Sequence, residues 1–364
     1  MNTPSTSNSL IRRKFICLSA QATCGLAVPG LVGGLANAKV MLDDAESVDR
    51  SYLQRGLNAL ARAHHMSSMA GHLGASMIAA YFVAKQRPKL DQEVLDGMKD
   101  DLRRVVQGES VFGKKMSRQS KLTDSELFEP FPKEHADETL VDGIADGLEK
   151  GIDKPRQSGH NVIFASLAIA ALKEHPEFAT PSVVNGVRKL MDLFASQTPG
   201  SGYYGKQRGR VKGDKIILPD EDRTPAYDDI DSMANAVLDE TATLSPKVHR
   251  VGYGGLVHII NHGAAIVGLD DFGYAELAQR ATRSHRHHLR LWRNLPNVVD
   301  EKGPLRASRF TPHTASYWTS GNIPYDRALL THRIKTMYGF AELARATDER
   351  AKEKAAYEKL RYLM

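Results

Sequence analysis

Two histidines one helical turn apart give the first indication of chemistry in this sequence. His258 and His262 lie four residues apart, which places both imidazoles on one helix face, within reach of one metal ion. The surrounding stretch, Val257 to Val267, is mostly apolar. A buried imidazole costs free energy unless it is hydrogen-bonded or ligated, so the pair predicts a ligand or catalytic role, with chance placement in a core as the alternative.

A second informative pair is His332 and Lys335. Their spacing of three residues also puts them on one helix face. A lysine near a helix start is mildly unfavourable because the helix dipole is positive there. We therefore expect Lys335 to face a partner inside the protein.

These pairs belong to a weak internal repetition. Four apolar segments carry a histidine at or near their start, at separations of roughly 70 to 100 residues. The histidines are His72, His160, His258 with His262, and His332. That separation suits a helical hairpin or two plus loops, and stacked hairpins can curl into a ring. The histidines would then point into one shared cavity, where neutral imidazoles suit Fe, Zn, Cu or Ni.

The hydrophobic periodicity predicts an all-α fold of this kind, a toroid-like array of helical hairpins around a central cavity. The predicted helices cover 49–85, 90–106, 138–151, 161–172, 181–196, 256–269, 274–291, 328–346 and 349–362. One β-hairpin is predicted within 201–219, inside a long charged loop that either covers a cavity mouth or is a surface excursion. The basic segment with His285, His287 and His288 is expected to be a solvated helix face.

The first 38 residues have the pattern of an export signal. Arg12 and Arg13 precede an uncharged apolar run from Ile16 to Leu35, and Ala36-Asn37-Ala38 supplies a cleavage site. The paired arginines favour the twin-arginine (Tat) route over the Sec route, so the Tat translocase is an expected partner during export. We expect a periplasmic or secreted protein whose single catalytic domain spans residues 39–364.

Composition narrows the function classes further. Both cysteines, Cys17 and Cys24, lie in the predicted signal, so removal of the signal leaves no disulfide. The formal net charge falls from +6 to about +3, which does not favour nucleic acid as a partner. We expect a small-molecule substrate and no membrane span in the mature chain.

Four short segments resemble, in order, the histidine motifs of the questin oxidase-like family. They are His72-Leu73 with Ile78 to Tyr81, Gly159 to Ile163, Val257 to Asn261, and His332 to Thr336. The last of these, His332-Arg333-Ile334-Lys335-Thr336, is the most specific match. The resemblance reaches across most of the chain that follows the predicted signal.

The resemblance implies an all-helical oxidoreductase. Members are linked to oxygen-dependent cleavage of anthraquinone-type rings, and some hold a non-haem iron through histidines and a carboxylated lysine. Carried over to this chain, the ligands would be His72, His160, His258 and His332, with Lys335 as the modified lysine and His262 as the alternative third ligand. The implied function is an exported oxygenase acting on an aromatic, polyketide-like or other cyclic ketone.

Two other function classes remain open on the sequence alone. A polysaccharide lyase or hydrolase would use Asn, His, Tyr and Arg to neutralise a carboxylate and move a proton, for which the chain offers Asn261, His262, Tyr253, Arg250 and Tyr317. A non-catalytic helical binding protein would keep the histidines as hydrogen-bonded core residues.

Overall fold

A computed structural model describes residues 47–87, 90–112, 120, 122–123, 125–220, 223–321, 323 and 327–364. The predicted export signal, residues 1–38, lies outside these described ranges. Within them no helix is long and apolar enough to cross a membrane.

The described chain is mostly helical, as predicted. Its helices are α1 Arg50–Arg62, α2 Gly71–Gln86, α3 Gln92–Val106, α4 Asp142–Glu149, α5 His160–Glu174, α6 Pro181–Ala195, α7 Gly205–Arg208, α8 Ile230–Ala242, α9 Leu256–Asp271, α10 Ala275–Arg293, α11 Val299–Lys302, α12 Ala315–Thr319, α13 Leu329–Arg345 and α14 Arg350–Lys359. Short 3-10 turns cover Ala63–His65, Ser68–Ala70, Ser125–Phe128, Glu138–Val141, Pro176–Phe178, Gly213–Lys215 and Leu360–Tyr362.

Four helices, α2, α5, α9 and α13, form the core. Helices α2, α5 and α9 are apolar around nearly their whole circumference, whereas α13 also carries the buried charged residues Arg333, Lys335 and Glu342. All four are buried along most of their length, as expected of helices enclosed by others. Helix α2 packs on α5 and α13, and α9 packs on the same two helices. Each core helix therefore has two core neighbours; a closed toroid of hairpins goes beyond these contacts and stays a prediction.

Amphipathic helices cover this core. Helix α1 packs on α2, α8 and α10 on α9, and α3 on α13. The predicted continuous helix over 49–85 is divided at residues 63–70, so α1 and α2 form a hairpin instead. Gly74 allows their close crossing, because a Cβ there would lie 2.4 Å from the carbonyl oxygen of Gly56.

The solvated face predicted for α10 is wrong for two of its three histidines. His285 and His288 are fully buried, and only His287 is partly exposed. The reason is helical spacing: His285 and His288 lie on the same stripe as the buried residues Ala278, Ala281, Leu289 and Trp292.

The predicted β-hairpin is present but short. Strands β1 (Ser201–Tyr203) and β2 (Arg210–Lys212) pair antiparallel, with Gly202 opposite Val211. Gly202 also forms a bridge to Gly252, just before α9. The hairpin is therefore tied to the chain that enters a core helix.

Candidate metal centre

Four histidines meet at one end of the four-helix core. His72 is the second residue of α2, His160 the first of α5, His258 the third of α9 and His332 the fourth of α13. Their exposed fractions are 0%, 3%, 6% and 6%. Because each lies in the first turn of its helix and the rings are in contact, the N-terminal ends of the four core helices gather around one point.

The distances between the ring nitrogens suit a shared metal ion. His258 Nε2 lies 3.1 Å from His160 Nε2 and 3.2 Å from His332 Nε2. Ligand atoms of His72, His160 and His258 all lie within 4.8 Å of one another, which makes this buried triad a group able to hold a metal. Two imidazole nitrogens bound to one ion at the usual bond length are about 2.9–3.4 Å apart.

Backbone carbonyls assign the tautomers of three of these rings. Nδ1 of His160 donates to the Gln157 carbonyl, Nδ1 of His258 to the Gly254 carbonyl, and Nδ1 of His332 to the Ala328 carbonyl at 2.7 Å. A carbonyl can only accept, so each Nδ1 carries the proton and each Nε2 of a neutral ring presents a lone pair. This is the outer-shell arrangement that orients metal-binding histidines.

Two unusual turns supply two of these carbonyls, those of Gln157 and Gly254. Before α5, Gln157, Ser158 and Gly159 have φ of 46°, 63° and 84°. Before α9, all four residues from Gly252 to Gly255 have positive φ, including Tyr253 at 41°. Non-glycine residues rarely adopt such φ values, and strain of this kind concentrates at functional sites.

Strand β1 and the residues before it hold both turns. The amide of Gln157 donates to the Thr198 carbonyl at 2.8 Å, and that of Ser158 to the Pro199 carbonyl at 3.0 Å. The amide of Tyr253 donates to the Ser201 carbonyl at 2.9 Å. One short stretch, residues 198–201, therefore fixes the turns that orient His160 and His258.

Lys335 lies beside His72, the histidine of the four whose Nδ1 contacts a side chain and not a backbone carbonyl. Its side chain is buried, with 3% exposed, and Nζ contacts Nδ1 of His72. Burial lowers the Lys335 pKa well below its ordinary value, so the uncharged amine is favoured. An uncharged amine can accept the Nδ1 proton of His72, as the carbonyls do for the other rings, and His72 Nε2 is then a buried lone pair with no hydrogen-bond partner.

Protonation of the cluster is unfavourable throughout. Burial is the largest cause, and the neighbouring Lys335 acts in the same direction. The pKa of His258 falls to about 3, and those of His72, His160 and His332 fall well below the usual value. Phe112 stacks on the His72 ring at 3.9 Å between centroids and adds apolar cover.

His262 is not part of this cluster. Its Nδ1 lies 3.2 Å from Nδ1 of His288, and its ring centroid is 5.1 Å from that of His285. His288 Nε2 donates to the Tyr253 carbonyl at 2.9 Å, and His285 Nε2 donates to the Ile259 carbonyl at 3.0 Å. The spacing of His258 and His262 thus serves two neighbouring clusters, and the second one supports the turn that orients His258.

A cavity of about 1090 Å³ adjoins the four histidines, all of which line it. Of the groups named for a lyase, only Arg250 lines this cavity; Tyr317 is buried elsewhere, where its hydroxyl accepts from Nη1 of Arg333 at 2.9 Å. The lyase constellation is therefore not assembled around this cavity.

Sequence reasoning missed the carbonyl-bearing turns and the His262–His285–His288 cluster. The spacing of three between His285 and His288, in phase with the buried stripe of α10, was the signal for the latter. Comparison with known protein families, curated proteins and solved structures finds no significant match to this chain.

Proposed function

We propose that this protein is a metal-dependent oxidoreductase, a non-haem iron oxygenase that acts on a cyclic ketone or a related aromatic compound. One observation carries the metal site: three unprotonated Nε2 atoms face one another at 3.1 and 3.2 Å inside the protein. Lone pairs at this distance repel, so the arrangement calls for a cation between them.

Protons and water are poor substitutes for that cation. A proton between two Nε2 atoms would create a buried imidazolium, which the lowered pKa of His258, about 3, opposes. A water that donates one hydrogen to each nitrogen at about 2.8 Å would hold the two nitrogens about 4.4 Å apart, because its O–H bonds diverge by about 105°; the observed separation is 3.1 Å. The donor set of buried neutral imidazoles fits a first-row transition metal.

Each residue of the centre has a role in this proposal. His160, His258 and His332 would bind the ion through Nε2, and His72 would join them through its unpartnered Nε2. When bound, iron would supply redox chemistry with O₂ and polarisation of a substrate carbonyl. Phe112, which stacks on His72 and also lines the cavity, would give the substrate an apolar surface beside the ion.

The family resemblance favours iron because of Lys335, which matches the lysine that is carboxylated in the iron site of some family members. The uncharged amine, which burial favours by lowering the Lys335 pKa, is the form that adds to CO₂, giving an N-carboxylate with release of a proton. A carboxylate there would supply negative charge next to a set of neutral imidazoles, and it would still accept the Nδ1 proton of His72. The resemblance of His332 to Thr336 to the closing family motif favours this form and, with it, iron.

Metal analysis tests the proposal directly. We expect the purified protein to contain close to one iron per chain, and His258→Gln to lose it, because Gln has no imidazole lone pair. His249→Gln is the matched control: His249 lines the same cavity but bonds to the Gly303 carbonyl, away from the cluster. Wild-type protein free of transition metal, unable to take up iron(II) and still active, would overturn the proposal.

The location of the enzyme is a separate part of the proposal. Residues 1–38 support export by the twin-arginine route, which carries folded proteins. Replacing Arg12 and Arg13 by lysine should keep the protein in the cytoplasm with its signal attached, as cell fractionation and N-terminal sequencing would show. Unchanged export of that variant would contradict the twin-arginine route and leave the metal site untouched.

A further inference from the structure

The cavity beside the four histidines has a marked excess of positive charge. Among its described lining residues are three arginines, Arg210, Arg250 and Arg293, and a single carboxylate, Glu240. Arg293 Nη2 and Glu240 Oε2 form an ion pair at 2.7 Å, and the indole of Trp292 donates to the other Glu240 oxygen at 3.1 Å. Glu240 is thus paired directly with Arg293 and acts on Arg250 only at longer range, so one carboxylate faces three guanidinium groups.

Arg250 is positioned to receive a ligand. It is half-buried, its Nε donates to the Leu295 carbonyl at 3.3 Å, and its guanidinium carbon lies 5.9 Å from the Trp292 ring centroid. In the part of the chain that the structure describes, neither of its terminal nitrogens has a hydrogen-bond or ion-pair partner. A guanidinium that is oriented through Nε and free at its outer edge offers two parallel donors, which match a carboxylate.

The histidine end of the cavity also favours an anion. Its histidine ligands are neutral and contribute no negative charge. The N-terminal ends of four core helices meet there, and each adds a partial positive charge. A divalent ion held by this set would keep a net positive charge facing the cavity even if a carboxylated Lys335 offset one of its two charges, so a neutral substrate would leave positive charge at both ends unbalanced.

We propose that the cavity binds an anionic substrate, namely an aromatic or other cyclic compound with a carboxylate that pairs with Arg250. This inference rests on the proposed function for the other end of the substrate, which faces the histidines. Trp292, 6% exposed and part of the cavity wall, supplies an apolar surface for the ring system. Arg210, exposed at the hairpin, adds long-range attraction at the entrance.

A matched pair of ligands tests this assignment. Calorimetric titration with naphthalene-2-carboxylate and naphthalene-2-carboxamide compares equal ring systems that differ in charge. We expect the carboxylate to bind roughly 10-fold or more tightly than the amide, as for a hydrogen bond between charged groups at a partly exposed site. The preference should be present without metal and should grow on loading with zinc(II), which is redox-inert.

Variants then test whether Arg250 causes the tighter binding of the carboxylate. Arg250→Gln should bring the two dissociation constants together, and Arg250→Lys should restore part of the difference. Arg208→Gln is the control: it removes one positive charge from the β1–β2 hairpin, at an exposed residue that does not line the cavity. If Arg250→Gln does not fold, as circular dichroism would show, the comparison of Arg250→Lys with wild type at low and high salt decides.

Several results would overturn the inference. They are equal binding of the acid and the amide, no binding of either, a full preference retained in a folded Arg250→Gln protein, and displacement of the naphthoate by inorganic phosphate at lower concentrations than by acetate. The last would assign the site to phosphate. Failure of the metal centre is recognised separately, because wild-type protein would then bind no zinc(II) or iron(II) while the charge preference without metal remained.

Discussion

Substituting Gly254 by alanine should damage the proposed metal centre without altering any proposed ligand. A Cβ at this position would lie 2.3 Å from Cγ and 2.5 Å from Nδ1 of the His258 ring. The imidazole would have to move by about 1 Å to reach an ordinary contact of ~3.5 Å. Since metal–nitrogen distances tolerate only about 0.2 Å, His258 could not keep both its metal bond and its carbonyl partner.

The expected size of the effect follows from the role of that carbonyl. Loss of an outer-shell partner typically lowers metal affinity by about 10- to 100-fold, or about 1.4–2.7 kcal/mol. A second penalty is independent of the metal: Gly254 has φ of 74°, and forcing a side chain into such a conformation costs roughly 1–3 kcal/mol of folding stability.

Gly255→Ala separates the two effects. Gly255 has nearly the same φ, 73°, yet a Cβ there meets nothing within 4 Å. We expect both variants to lower the urea midpoint of the metal-free protein, and only Gly254→Ala to weaken cobalt(II) binding in competition with a chromophoric chelator. Equal cobalt(II) affinities for the two variants would refute the claim that the Gly254 carbonyl orients His258.

Two further predictions concern the second histidine cluster. The His288→Gln variant can still donate to the Tyr253 carbonyl and should keep near-wild-type metal affinity. The His288→Leu variant cannot donate, and its metal affinity should fall about 10-fold or more, measured by the same chelator competition. Equal losses of affinity in the two variants would contradict the claim that His288 acts through the turn. The pKa values of His285 and His288 are lowered by burial to about 4 and about 3, so the unfolded chain takes up more protons than the folded one below pH 6.5. The stabilising contribution of these two histidines is therefore fully present above pH 6.5. The free energy of unfolding should fall on acidification towards pH 4, by up to about 1.4 kcal/mol per pH unit for each histidine. Coinciding urea midpoints at pH 7.5 and 5.5 would contradict this prediction.

Much of the candidate site could be anticipated from the sequence because its ligands share one local pattern, a histidine near the start of an apolar helix. That pattern places His72, His160, His258 and His332 at equivalent heights once the helices pack side by side. The buried position of Lys335 also followed from a cation in an unfavourable place near a helix start. The structure brings all five together.

The remaining features depend on contacts that no local pattern contains. His258 and His262 lie one turn apart on the same apolar helix, and only the neighbouring helices decide which cluster each joins. Gln157, Ser158 and Tyr253 adopt positive φ against their intrinsic preference, because residues 198–201 hold them there. The division of the 49–85 segment into a hairpin likewise depends on the fit of Gly74 against Gly56.

The short stretch at residues 198–201 has a consequence for assembly. It lies between His160 and His258 in the chain and fixes the turn before each, so the two imidazoles reach their orientations through one shared contact. Because these contacts join residues that are distant in sequence, we expect them to form late in folding. We therefore expect ion uptake to report completion of the native structure, and changes at Gln157 and at Tyr253 to be cooperative rather than additive.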